Sequence, residues 1–257
     1  MNRYLILILS LFSFQHLICD HAENLSIKRY QLPDEHPIKQ KLDEIFTKER
    51  VTLDEIQFLQ AGFKPITPLR KDKIVIARHP HLQGYVIKTF LDKYPVNKSH
   101  DPDWLWLSRR CQLAKKIGHF IKKKHMRHFT VPKKWLYPLP VLALQNCETP
   151  QRLNALLIEE EMPLLSAEDN KKAWELISDE ALDELSDIIL HVGGQSYRPD
   201  NVWMTAENTF AFIDTEYPHL PPRYCELIPY LTEEKGHYWT LLMMSKLLSE
   251  AHSSLSR

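Results

Sequence analysis

The chain has 257 residues, 44% of them hydrophobic, which is enough for one sizeable core shared by one or two lobes. Its 33 Lys and Arg balance 33 Asp and Glu, and this argues against a whole-molecule nucleic-acid binder, which would usually be basic. Among the cysteines, Cys19, Cys111, Cys147 and Cys225, no spacing matches a structural zinc site.

In chain order, residues 1–22 read as an export signal, with Arg3 ahead of the apolar run Tyr4 to Phe14. Removing it takes Cys19 away and leaves three cysteines, hence at most one disulfide. No later stretch is apolar enough to cross a membrane, so the mature chain is expected to carry no transmembrane segment and to be secreted or periplasmic. Residues 23–62 then form a helical extension. Ile38, Leu42, Ile45 and Phe46 share one helical face, and Thr52 with Glu55 predicts a capping box for a second helix bearing Ile56 and Leu59 and ending at Gly62.

The β-branched run Lys73 to Ala77 and the segment Tyr85 to Phe90 predict a hairpin around Pro80 and Gly84. A long amphipathic helix follows over 103–124, its polar face carrying Arg109, Arg110, Lys115, Lys116 and Lys122 to Lys124. Strands are expected at 129–131, 141–144 and 156–158, with Glu159 to Pro163 ending the last. Two helices split near Ser178 fill 167–190. Short strands at 201–204 and 209–213 flank a turn, and a last helix spans 237–250. The order predicts an α+β chain with a sheet-bearing first lobe and a helical second lobe.

The loop Ser196-Tyr197-Arg198-Pro199-Asp200-Asn201 precedes Ile213-Asp214-Thr215-Glu216, with Asp214 thirteen residues past Asn201. This pair of segments resembles the catalytic loop and metal-binding motif of the protein-kinase-like superfamily. The resemblance covers about residues 63–217 and implies a compact bilobal domain over 63–257 with a shortened helical lobe. It implies that Asn201 and Asp214 hold Mg2+ or Mn2+, that Lys88, closing Tyr85-Val86-Ile87-Lys88, grips ATP phosphates, and that Arg198 offsets charge on a transferring phosphoryl group. The sequence departs from the family in several places, with Gly194 at the position of the loop histidine among them. Ser196 stands where the family has its aspartate base, leaving Asp200 or Glu216 as substitutes. The glycine-rich loop is reduced to Gly84, and no glutamate lies between Lys88 and Cys147 to pair with that lysine.

Three functions follow as expectations. One is an exported, degenerate kinase-like phosphotransferase that binds ATP and a divalent metal and acts on an unknown substrate. The second is a pseudokinase that binds a protein partner without catalysis. The third is a polyanion binder using the basic run 109–134, although a charged helical face is usually plain solvated surface.

Overall fold

The computed structural model describes residues 27–68, 74–94, 103–140, 155–194, 197–215 and 222–255. The expected signal segment 1–22 and the strand expected at 141–144 lie outside them. The fold is α+β, with antiparallel pairing in its larger sheet and several helices. The chain divides into two compact units, Met1–Ser108 with Trp135–Glu159, and Arg109–Lys134 with Glu160–Arg257. No described helix is long and apolar enough to cross a membrane.

The first unit opens with a helical turn, α1, over residues 27–30, followed by α2 (Lys39–Phe46). As the spacing predicts, α2 buries Leu42 and Phe46. Asp43, on the same helix, accepts from Lys39 Nζ at 2.6 Å and from the Tyr137 hydroxyl at 2.9 Å. Burial holds the Tyr137 phenol protonated far above its ordinary range, and the bond to a carboxylate adds to this.

The next helix, α3 (Glu55–Gln60), bears Ile56 and Leu59 as expected but corrects the expected cap. Its N-cap is Asp54, whose carboxylate accepts from Gln57 N at 3.0 Å, and not Thr52. Thr52 is buried and donates instead to Asp92, where Arg50 completes a buried pair through Nε at 2.7 Å and Nη2 at 3.1 Å. A non-local carboxylate therefore outcompetes the local capping pattern. Ile56 and Leu59 are largely exposed, and the residue that enters the core is Phe58, stacked on Phe63 at 4.4 Å between centroids. The end of α3 is as expected. Gly62 has φ +96°, and the bonds Gly62 N to Leu59 O and Phe63 N to Phe58 O close a Schellman motif.

Strands β1 (Lys64–Pro65), β2 (Val75–Arg78), β3 (Tyr85–Thr89), β5 (Lys134–Pro138) and β6 (Ala155–Glu160) form a sheet ordered β1-β2-β3-β6-β5. The predicted hairpin is β2–β3, antiparallel, with Ile76 opposite Lys88, and Gly84 supplies its turn at φ +80°. Two sequence readings fail in this sheet. Strand β5 went unpredicted, and β6 does not stop at Glu159. Consecutive residues of β3 and β6 are buried, so both faces of these central strands are covered, and a charged residue on either must bury with its neighbours.

His79, at the end of the β2 strand, is buried against Phe63. Its Nε2 lies 2.9 Å from Ala61 O, and its Nδ1 accepts from His81 N at 3.2 Å, an arrangement that suits the neutral ring with its proton on Nε2. Burial lowers its pKa below 6.5. A ring held neutral in the folded state contributes stability that is fully present above pH 6.5 and is lost as pH falls through the folded value. Wild-type melting temperature is therefore expected to drop between pH 7.5 and 5.5 more steeply than that of His79→Gln, which keeps a donor toward Ala61. Parallel slopes in the two proteins would refute this.

The second unit is built on α4 (Asp103–Lys124), whose first residues belong to the other unit, and on α5 (Ala167–Glu175), α6 (Asp179–Val192) and α7 (Glu233–Leu255). The bounds of α4 match expectation. The split between α5 and α6 falls where Ser178 caps α6 by accepting from Ala181 N at 3.1 Å. The last helix starts earlier than expected, at Glu233, after a 3-10 segment Tyr224–Tyr230. A three-stranded sheet, β4 (Phe129–Thr130), β8 (Phe210–Phe212) and β7 (Val202–Met204), carries the predicted hairpin, with Asn208 at φ 62° in its turn. Trp174, Leu185, Ile189, Phe210, Phe212 and Trp239 anchor the core of this unit.

Candidate functional site

The two motif residues expected to bind metal are brought together by the β7–β8 hairpin. Asn201 precedes β7, Asp214 follows β8, and Asp214 N donates to Asn201 O at 3.2 Å. The loop before β7 is a tight turn, with Asn201 N and Val202 N both donating to Arg198 O at 2.8 and 2.9 Å. Asn170 of α5 clamps it from below. The amide is 4% exposed, donates to Pro199 O at 3.0 Å and accepts from Met204 N at 2.8 Å. Trp174 adds a bond from its indole N–H to Val202 O at 3.0 Å. Tyr197 is buried and its hydroxyl donates to Gly193 O, and burial raises the phenol's pKa.

Replacing Asn170 leaves two buried backbone groups without their partner. Asn170→Ala is expected to cost about 2 kcal/mol and to lower the urea midpoint, because each orphaned group loses its hydration without compensation. An unchanged midpoint would show that the loop holds without the clamp.

Asp214 already has a cationic partner. Arg110 of α4, only 2% exposed, donates from Nη1 to Asp214 Oδ1 in a tight ion pair. Flanking bonds fix both ends of the pair. Thr215 Oγ1 donates to Arg110 O at 2.8 Å, and Lys134 Nζ donates to Ile213 O at 3.0 Å. Arg110 was expected on the solvated face of the helix, and the structure corrects this. The signal in the sequence was its position: Arg110 stands three residues after Leu107 and four before Ala114, in line with the buried apolar stripe. Lys134 is likewise buried, so two cations of the run 109–134 face inward, while Lys115, Lys116 and Lys122 to Lys124 remain exposed.

The donor set fits a divalent metal poorly in this arrangement. Magnesium wants hard, negatively charged oxygens. Here one carboxylate is already neutralised by a guanidinium, and no group of three or more His, Cys, Asp or Glu suited to a metal occurs among the described residues. Arg198 and Asp200, the proposed phosphoryl-stabilising cation and substitute base, pair with each other at 2.9 Å and are both exposed to solvent. Ser196 and Glu216 lie outside the described residues.

In the first unit, Lys88 does have a carboxylate partner. Its Nζ lies 2.9 Å from Glu159 Oε2, and both side chains are about as buried as the core around them. The long helix supplies no glutamate to Lys88, as expected. The partner comes from β6, the neighbour of β3 in the sheet. The run Glu159-Glu160-Glu161 concealed it, because consecutive glutamates ordinarily mark the end of a strand.

No protein-family model matches the chain, and no curated protein is similar to it in sequence.

Proposed function

We propose that this chain is a degenerate protein-kinase-like module that acts by binding a partner and not by metal-dependent phosphoryl transfer. The kinase-like part of this reading rests on the motif spacing together with the hairpin that sets Asn201 beside Asp214. The loss of catalysis rests on one observation, the guanidinium of Arg110 on the carboxylate that the family uses for metal. A resident cation there offsets the charge that would draw a divalent ion, and displacing it would cost a buried arginine its carboxylate.

Nucleotide binding without metal is a second reading, and Lys88 is what favours it. The Glu159 carboxylate 2.9 Å away orients the Lys88 ammonium, and a nucleotide phosphate would have to open the cover that leaves this side chain 5% exposed. Melting curves of the mature chain with ATP, with and without Mg2+ or Mn2+, separate the readings. The expected result is no metal-dependent shift, with any shift from ATP alone unchanged by the metal. A metal-dependent rise that disappears in Asp214→Ala would overturn the non-catalytic reading and restore the phosphotransferase one.

A further inference from the structure

A cavity of about 470 Å3 opens in the second unit, between α5, the loop before β7 and the segment leading into α7. That size lies within the range of small-ligand sites. Trp174, Trp203 and Tyr230 are its aromatic lining residues, and Pro199 and Pro229 also line it. Both indole N–H groups are already committed inside the protein, Trp174 to Val202 O and Trp203 to Leu165 O at 2.9 Å. Trp174 is only 1% exposed and packs on Phe210, so it forms the cavity floor, and the aromatic surface open to a ligand comes from Trp203 and Tyr230.

The charged residues lining the cavity are Glu175, Asp200 and Lys171, two carboxylates against one ammonium. Their existing partners are weak competitors. Lys171 stands 3.8 Å from Glu175, beyond hydrogen-bond reach, and the Arg198–Asp200 pair is exposed on both sides. Exposed pairs of this kind contribute little and exchange readily for another cation. Aromatic faces beside carboxylates attract an organic cation by two additive terms, cation–π attraction and charge pairing.

We propose that this cavity is a binding site for an organic cation on an apolar or planar stem, a guanidinium, amidinium or alkylammonium. The cation arrives either as a free small molecule or as the Arg or Lys side chain of a peptide. The site lies wholly within the second unit and stands independently of the nucleotide question.

The test uses the full mature chain and ligand-observed NMR with calorimetry. Benzamidine is expected to bind about tenfold tighter than its uncharged isostere benzamide. The double variant Glu175→Gln/Asp200→Asn, at two exposed positions, should erase that preference, and Lys171→Ala should strengthen cation binding. Acetyl-Ala-Arg-Ala-amide compared with acetyl-Ala-Gln-Ala-amide distinguishes the sources. An Arg peptide tighter than benzamidine points to a peptide ligand, and the reverse order points to a free cation. Equal binding of benzamidine and benzamide, a preference that survives in the double variant, or no binding of either cation at millimolar concentration would overturn the proposal.

Discussion

Asp214→Asn is expected to destabilise the protein by about 3 kcal/mol, and Arg110→Met by roughly a third of that. The asymmetry follows from burial. Arg110 is 2% exposed, whereas the Asp214 side chain is 31% exposed. Removing the aspartate charge takes a carboxylate from a guanidinium that water cannot reach. Removing the arginine leaves a carboxylate that water partly solvates, and methionine fills much of the vacated volume. Equilibrium urea unfolding of the three proteins measures both effects. A carboxylate kept for metal behaves in the opposite way, because neutralising it relieves an unpaired charge and leaves stability unchanged or higher. Asp214→Asn as stable as wild type would therefore sink the structural assignment of this residue and, with it, the main support for a non-catalytic module.

The second large effect concerns Lys88 and Glu159. Either single replacement, Lys88→Met or Glu159→Leu, should cost about 3–5 kcal/mol, since each leaves one buried charge without its partner. The double variant should recover most of the loss, because apolar side chains of similar size suit a site covered on both faces of the sheet. The coupling from the double-mutant cycle is the quantity to measure. Independent, additive losses would show that the 2.9 Å contact contributes nothing specific. This result also governs how a lysine substitution is interpreted. A Lys88→Met chain that fails to bind nucleotide has shown only that it is unstable, unless the double variant, stable again, also fails.

Much of the secondary structure was legible because its signals are local. The α4 helix follows from a 3.6-residue apolar period, and the α5–α6 break from a serine that satisfies a free backbone N–H. The two hairpins follow from Gly84 and Asn208, residues that adopt positive φ at low cost. What escaped was charge in covered places. Strand β5 carries Lys134 and ends at Pro138, and β6 runs on through Glu159 and Glu160, so propensity argued against both. In β6 the compensation is Lys88, held one strand away and 71 positions back in the chain.

The candidate site divides in the same way. The spacing of Asn201 and Asp214 announced a hairpin that sets them side by side, and their backbones do meet. That Asp214 is already paired could not be read, because its partner stands 104 residues away on a helix whose lysines face solvent. The aromatic cavity draws Trp174, Trp203 and Tyr230 from three separate segments, none of which marks a ligand site alone.

By itself, then, the sequence determined the α+β order of elements, the positions of the turns and the hairpin spacing of two polar residues, all of which depend on neighbours within a few turns or one hairpin. The tertiary structure alone decided which charges are buried and what faces them. An isolated ionic side chain is stable only in water, so the partner that lets it leave water must be delivered by the fold, and local sequence carries no record of it.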